Sequence, residues 1–88
     1  MAETFLLEVV TPRNVVVSSQ VEEMTAPGTD GEFGVLPGHT FFITLLSVGE
    51  LSYYIDGKKE SLTVGEGFAE INLDRATVIV DSAEDFVG

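Results

Sequence analysis

The sequence predicts an all-β domain built from two packed sheets or a flattened barrel, and three observations carry that reading. From Glu50 to Asp56, the residues Leu51, Tyr53 and Ile55 alternate with polar or amphipathic neighbours, the period of a half-buried strand. Asp56-Gly57 follows, the dipeptide favoured in type I′ hairpin turns because both central residues need positive φ. The rest of the chain breaks into short apolar or β-branched runs separated by turn residues, and no apolar stripe at helical spacing is long enough for a helix.

The elements follow in order. Phe5–Val10, Val15–Ser18 and Val21–Ala26 read as strands, separated by Pro12-Arg13-Asn14 and Ser19-Gln20. Glu32–Leu36 and Phe41–Leu46 flank Pro37-Gly38. Counting back across the Asp56-Gly57 turn pairs Ile55 with Lys58, Tyr53 with Glu60 and Leu51 with Leu62 on one face, and Tyr54 with Lys59 and Ser52 with Ser61 on the other. Leu51, Leu62 and Val64 are the predicted core side, with the Lys58 methylenes laid over Ile55. Phe68–Ile71 and Ala76–Asp81 flank a four-residue loop, Asn72-Leu73-Asp74-Arg75. Ser82, followed by acids at Glu84 and Asp85, resembles a helix N-cap. The expected organisation is a domain over residues 1–82 and a tail over 83–88 that begins a helical region.

Composition bounds the function. Eighty-eight residues make one small domain, and the absence of cysteine removes disulfides and thiolate chemistry. Fifteen acids against four bases give a net charge of −11, which disfavours nucleic acid and anionic lipid as partners. Acidity of this size fits plain solubility and fits a basic protein partner equally. No run of apolar residues reaches membrane-spanning length, and Met1-Ala2-Glu3-Thr4 opens no signal peptide. His39 stands alone as a histidine, the carboxylates are scattered, and neither a calcium-loop spacing nor a phosphate-binding glycine motif occurs. The reading is of a non-enzymatic domain with no cofactor, no catalytic residue and no metal ligand.

The segment Ala26–His39 stands out, with four glycines and two prolines specifying its turns around an apolar Phe33-x-Val35-Leu36. Its run Gly31-Glu32-Phe33-Gly34-Val35-Leu36-Pro37-Gly38-His39 closely resembles the signature of F-type ATP synthase epsilon chains. Leu7-Glu8-Val9-Val10-Thr11-Pro12 is similar to that family's opening strand, Val64–Ile71 to a late glycine-plus-aromatic strand, and Asp81-Ser82-Ala83-Glu84 to the end of its N-terminal domain.

The resemblance implies a flattened sandwich of two mostly antiparallel sheets with about ten short strands. It implies a non-catalytic rotor part at the foot of the central stalk, linking the gamma subunit to the membrane ring of c subunits. Asp30, Gly31, Glu32, Phe33 and Gly34 would face the ring, with Glu32 as the charged tip. Thr11 and the stretch from His39 to Thr44 would lie toward gamma. Membrane association would come through the complex alone, on the cytoplasmic face of a bacterial inner membrane rather than a plastid thylakoid. Members usually continue into a pair of C-terminal helices that can inhibit ATP hydrolysis, and the cap-like Ser82 reads as the start of that region. Two departures stand out: Phe41 where a proline is usual, and Glu66 where the first of two glycines is usual.

Two other classes share a small acidic β fold. A lipoyl or biotinyl carrier needs a lysine at a hairpin tip, but Lys58 and Lys59 follow the turn and no methionine flanks them. A generic structural or adhesion sandwich has no use for the Gly31–His39 run.

Overall fold

A computed structural model describes residues 3–85 and contains ten strands: β1 (Phe5–Val10), β2 (Val15–Val21), β3 (Glu23–Gly28), β4 (Gly31–Val35), β5 (Phe42–Leu46), β6 (Gly49–Ile55), β7 (Lys58–Val64), β8 (Gly67–Asn72), β9 (Arg75–Val80) and β10 (Ala83–Asp85). They form one ten-stranded sheet, in the order β10-β7-β6-β3-β5-β8-β9-β1-β2 with β4 paired to β3, whose two halves, β10-β7-β6-β3-β4 and β5-β8-β9-β1-β2, face each other as layers across a shared core. The layers join at one pair, Gly28 with Leu46, where β5 takes over from β6 along the same edge of β3. Every pairing is antiparallel except that of β1 with β9. This is the expected all-β sandwich.

The β6–β7 hairpin has the register that the turn dictates, Leu51 opposite Leu62 and Ile55 opposite Lys58. Asp56 and Gly57 take φ of 52° and 77°, the pair of positive values a type I′ turn requires. Lys58 departs from expectation. Its side chain is 81% exposed and its ammonium lies 3.8 Å from Glu60, so it does not cover Ile55, which packs against the core instead.

Strand alternation builds that core. Phe5, Leu7 and Val9 of β1, Ala69 and Ile71 of β8, and Ala76, Val78 and Val80 of β9 point inward from one layer. Met24, Ala26, Leu51, Leu62 and Val64 meet them from the other. Each fully buried Leu, Ile, Val, Phe or Met contributes about 1.5–3 kcal/mol, which lets so small a domain offset its chain entropy. Ile71 lies opposite Ala76 in the ladder, a large residue beside a small one.

Three local expectations are corrected. β2 continues through Ser19-Gln20, because these pair with Leu7 and Leu6 and the Thr4 hydroxyl donates to Gln20 Oε1 at 2.9 Å; the break falls at Glu22. The β8–β9 loop is Leu73-Asp74 alone, since Asn72 and Arg75 still pair and the Asp74 carbonyl accepts the Leu6 N–H at 3.0 Å. No helix begins at Ser82: its carbonyl accepts the Gly65 N–H at 2.9 Å, and Ala83–Asp85 pair with Val64–Leu62 of β7. The edge of β7 offers a ready ladder and Ala83 packs against the core, so pairing prevails over the cap pattern. Three residues of the 83–88 segment therefore lie in the sheet, and 86–88 lie outside the described residues.

Candidate functional site

The ring-facing segment inferred from the sequence is a β-hairpin rather than a loop. Gly28 pairs with Gly31, which leaves Thr29-Asp30 as its tip, and Glu32 sits one position down the strand opposite Pro27. Asp30, not Glu32, is therefore the carboxylate at the turn, though both are exposed. Gly31 and Gly34 are exposed with them, but Phe33 turns back to the core and meets Phe42 edge-on at 5.9 Å. The hairpin is braced by the neighbouring layer. The Thr29 N–H donates to the Leu45 carbonyl at 3.1 Å, and the Ser47 N–H donates to the Pro27 carbonyl at 2.8 Å.

Beside it runs the outer face of the β5-β8-β9-β1-β2 layer. The ladder sets Leu45 opposite Phe68, Phe68 opposite Ile79, Ile79 opposite Val10 and Val10 opposite Val15. These five apolar residues form a row that crosses five strands, about 19 Å at the usual strand spacing. Leu45 is 63% exposed and Phe68 and Ile79 are each 40% exposed, high values for neighbouring apolar side chains in central strands. The next row along the same face is Ile43, Glu70, Thr77, Glu8 and Ser18.

The residues expected to face gamma do not converge. Thr11 rims a shallow depression on the apolar row with Val10, Pro12, Phe68 and Ile79. Thr44 is half-buried, and alternation along β5 puts it on the inner side with Phe42 and Leu46, away from Ile43 and Leu45. His39 lies at the opposite end of β1 from Thr11, stacked at a tilt on Phe5 with ring centroids 5.3 Å apart. Neither of its ring nitrogens has a hydrogen-bond partner among the described residues. Burial pushes its pKa below the ordinary imidazole value, an effect its own backbone opposes only in part.

Charge on the surface is unevenly matched. Among the described residues the ion pairs are Lys58 with Glu60, Lys59 with Glu50 and Arg75 with Glu8, the last at 3.5 Å. No three His, Asp or Glu side chains among the described residues gather closely enough to hold a metal ion.

Leu45, Phe68 and Ile79 were not singled out from the sequence, although a signal was there. Phe41-Phe42-Ile43 with Leu45-Leu46, and Val78-Ile79-Val80, are unbroken or nearly unbroken apolar runs. Such a run covers both faces of a strand, and in a sandwich one of those faces looks outward.

Comparison with known proteins gives concordant results. Residues 4–86 match the family described as ATP synthase, Delta/Epsilon chain, beta-sandwich domain. The chain is 54% identical over 85 residues to the ATP synthase epsilon chain of Desulfosudis oleivorans, covering 96% of this chain and 64% of that one. It is 48% identical over 84 residues to the epsilon chain of Geotalea uraniireducens, covering 96% of this chain and 61% of that one. The chain thus spans about three-fifths of the length of such relatives. In fold it is similar to a chain of the Euglena gracilis mitochondrial ATP synthase solved with its c-ring, at a TM-score of 0.89 and 24% identity, covering 97% of this chain and 55% of that one. It is also similar in fold to a chain of the Tetrahymena thermophila mitochondrial ATP synthase central stalk and c-ring, at 0.78 and 11%, covering 96% of this chain and 68% of that one.

Proposed function

Because the chain belongs to the β-sandwich family of ATP synthase delta and epsilon chains, we propose that it is a non-catalytic part of the central stalk, joining gamma to the c-ring. The exposed hairpin end, with Asp30 and Glu32, meets the polar loops of the ring. The outer apolar row, with Thr11 at its rim, seats gamma. His39 supports the adjoining segment from its place on Phe5, and Thr44 acts through the position of β5 rather than by direct contact. The domain reaches the membrane only through the assembled complex, on the cytoplasmic side of a bacterial inner membrane.

One observation carries this reading: the acidic hairpin is hydrogen-bonded to the strand that begins the apolar row, Thr29 to Leu45. A single rigid body thereby offers two surfaces of different chemistry side by side. Neighbouring exposed apolar side chains mark a protein contact, and an exposed charged hairpin suits a contact where charge sets register more than affinity. The test is co-purification of the chain with gamma from the same source. Capture that is lost on Leu45→Ser is the expected result, and failure to capture gamma at any salt concentration contradicts the reading.

A further inference from the structure

We propose that Glu70 reads a cation on gamma: the surface of gamma that covers the apolar row presents an arginine or lysine to the Glu70 carboxylate. The inference rests on the gamma-seating surface proposed above and adds its electrostatics. Glu70 lies in β8, between β5 and β9, with Ile43 on one side and Thr77 on the other. Two residues along the strand is Phe68, so the carboxylate stands about 7 Å from the apolar row on the same face. A partner broad enough to cover Leu45, Phe68 and Ile79 covers Glu70 too.

Among the described residues one cation, Arg75, shares this face, two residues along β9 from Thr77, and it is already engaged. In the same row Glu8 is paired with Arg75 at 3.5 Å, whereas none of the ion pairs among the described residues involves Glu70. A carboxylate stripped of water and left unpaired offsets much of what the surrounding apolar contact returns, so a fitting partner brings a positive donor. Arginine suits the place best, because its planar fork bonds both carboxylate oxygens while its flat face lies on neighbouring apolar side chains. A second copy of this chain fits less well, since its cation on this face, Arg75, is engaged with Glu8 and each copy carries −11.

The experiment measures binding of the 88-residue chain to gamma at low and at physiological salt. Compared with the parent chain are Glu70→Gln, Glu70→Asp, Leu45→Ser and, as control, Glu23→Gln. Glu23 is exposed in β3 opposite Tyr54, in the other layer, and carries the same charge change away from the face. The expected result is a loss on the order of tenfold for Glu70→Gln at low salt, with a flatter salt dependence. Glu70→Asp retains most of that dependence, and Glu23→Gln stays within about twofold. Equal thermal stability of Glu70→Gln and parent assigns the loss to binding. If Leu45→Ser weakens binding while Glu70→Gln matches the parent, the surface stands and the charge reading is overturned. If the parent chain binds no gamma, the surface itself is wrong and the charge reading falls with it.

Discussion

The Glu22 carboxylate accepts a hydrogen bond of 2.9 Å from the backbone N–H of Gly57. The link joins the β2–β3 junction to the tip of the β6–β7 hairpin, beside a backbone bond of 2.8 Å from the Glu22 N–H to the Tyr54 carbonyl. A carboxylate thus holds a turn residue distant in sequence, and it fixes where β3 leaves β2.

Replacing Glu22 with Ala removes this charge-assisted bond and is expected to cost about 0.5–1.5 kcal/mol. For a domain of this size that lowers the melting temperature by several degrees. Glu22→Gln, which keeps an accepting oxygen, loses less. Urea unfolding of both variants checks the order, and faster hydrogen exchange at the Gly57 amide identifies the cause. Equal stability of Glu22→Ala and the parent chain would show the bond to be incidental.

Gly67 is required by close approach rather than by backbone freedom. A β-carbon there would strike the Ile79 carbonyl oxygen and stand 2.7 Å from the Val80 Cα, both main-chain atoms of the paired strand. Gly67→Ala is expected to destabilise by about 2 kcal/mol or more, as overpacking against main chain does. Its neighbour Glu66 is exposed, and its carbonyl accepts the Asp81 N–H at 3.0 Å. Glu66→Gly therefore stays within about 1 kcal/mol of the parent. Thermal melts of the two variants separate these cases.

The pH dependence follows from His39. Its pKa in the fold is lowered from the ordinary 6.5, first by burial, so protonation favours the unfolded chain. Its contribution to stability is fully present above the unfolded value of 6.5 and is lost as the pH falls through the lower folded value. Between pH 7.5 and 5.5 the parent chain should lose stability relative to a His39→Phe variant. That window lies above the main carboxylate range, and the change in overall acidic repulsion is common to both chains. A difference between the two melting temperatures that is independent of pH would contradict this account.

How much of this the sequence made legible depends on where each residue's constraint originates. The β6–β7 register was readable because a two-residue turn and strict alternation are local rules, and Asp56-Gly57 satisfies both. The break at Glu22 was not, since Ser19 and Gln20 look like turn residues until Leu7 and Leu6 are there to pair with them. Ser82 carries a helix-cap pattern, but the free edge of β7 decides the outcome, and no local rule reports a free edge. At the candidate site, Asp30 to Gly34 were found by resemblance, while the identity of the turn residue came only from the Gly28–Gly31 pair. The apolar row was hidden for a similar reason. Leu45, Phe68, Ile79 and Val10 are far apart in sequence, and only the ladder aligns them.

The central claim is that this domain couples the ring to the stalk, and ATP-driven proton pumping tests it most directly. The 88-residue chain would be added to a synthase complex lacking its own epsilon chain, with pumping and ATP hydrolysis measured together, alongside a Glu32→Lys variant. Glu32 is exposed, so the reversal should leave folding within about 0.5 kcal/mol of the parent while disturbing the ring contact. The parent chain is expected to restore pumping without reducing hydrolysis, and Glu32→Lys to bind gamma but restore less. Inhibition of hydrolysis by the parent chain, or pumping that is unchanged by its addition, would contradict it.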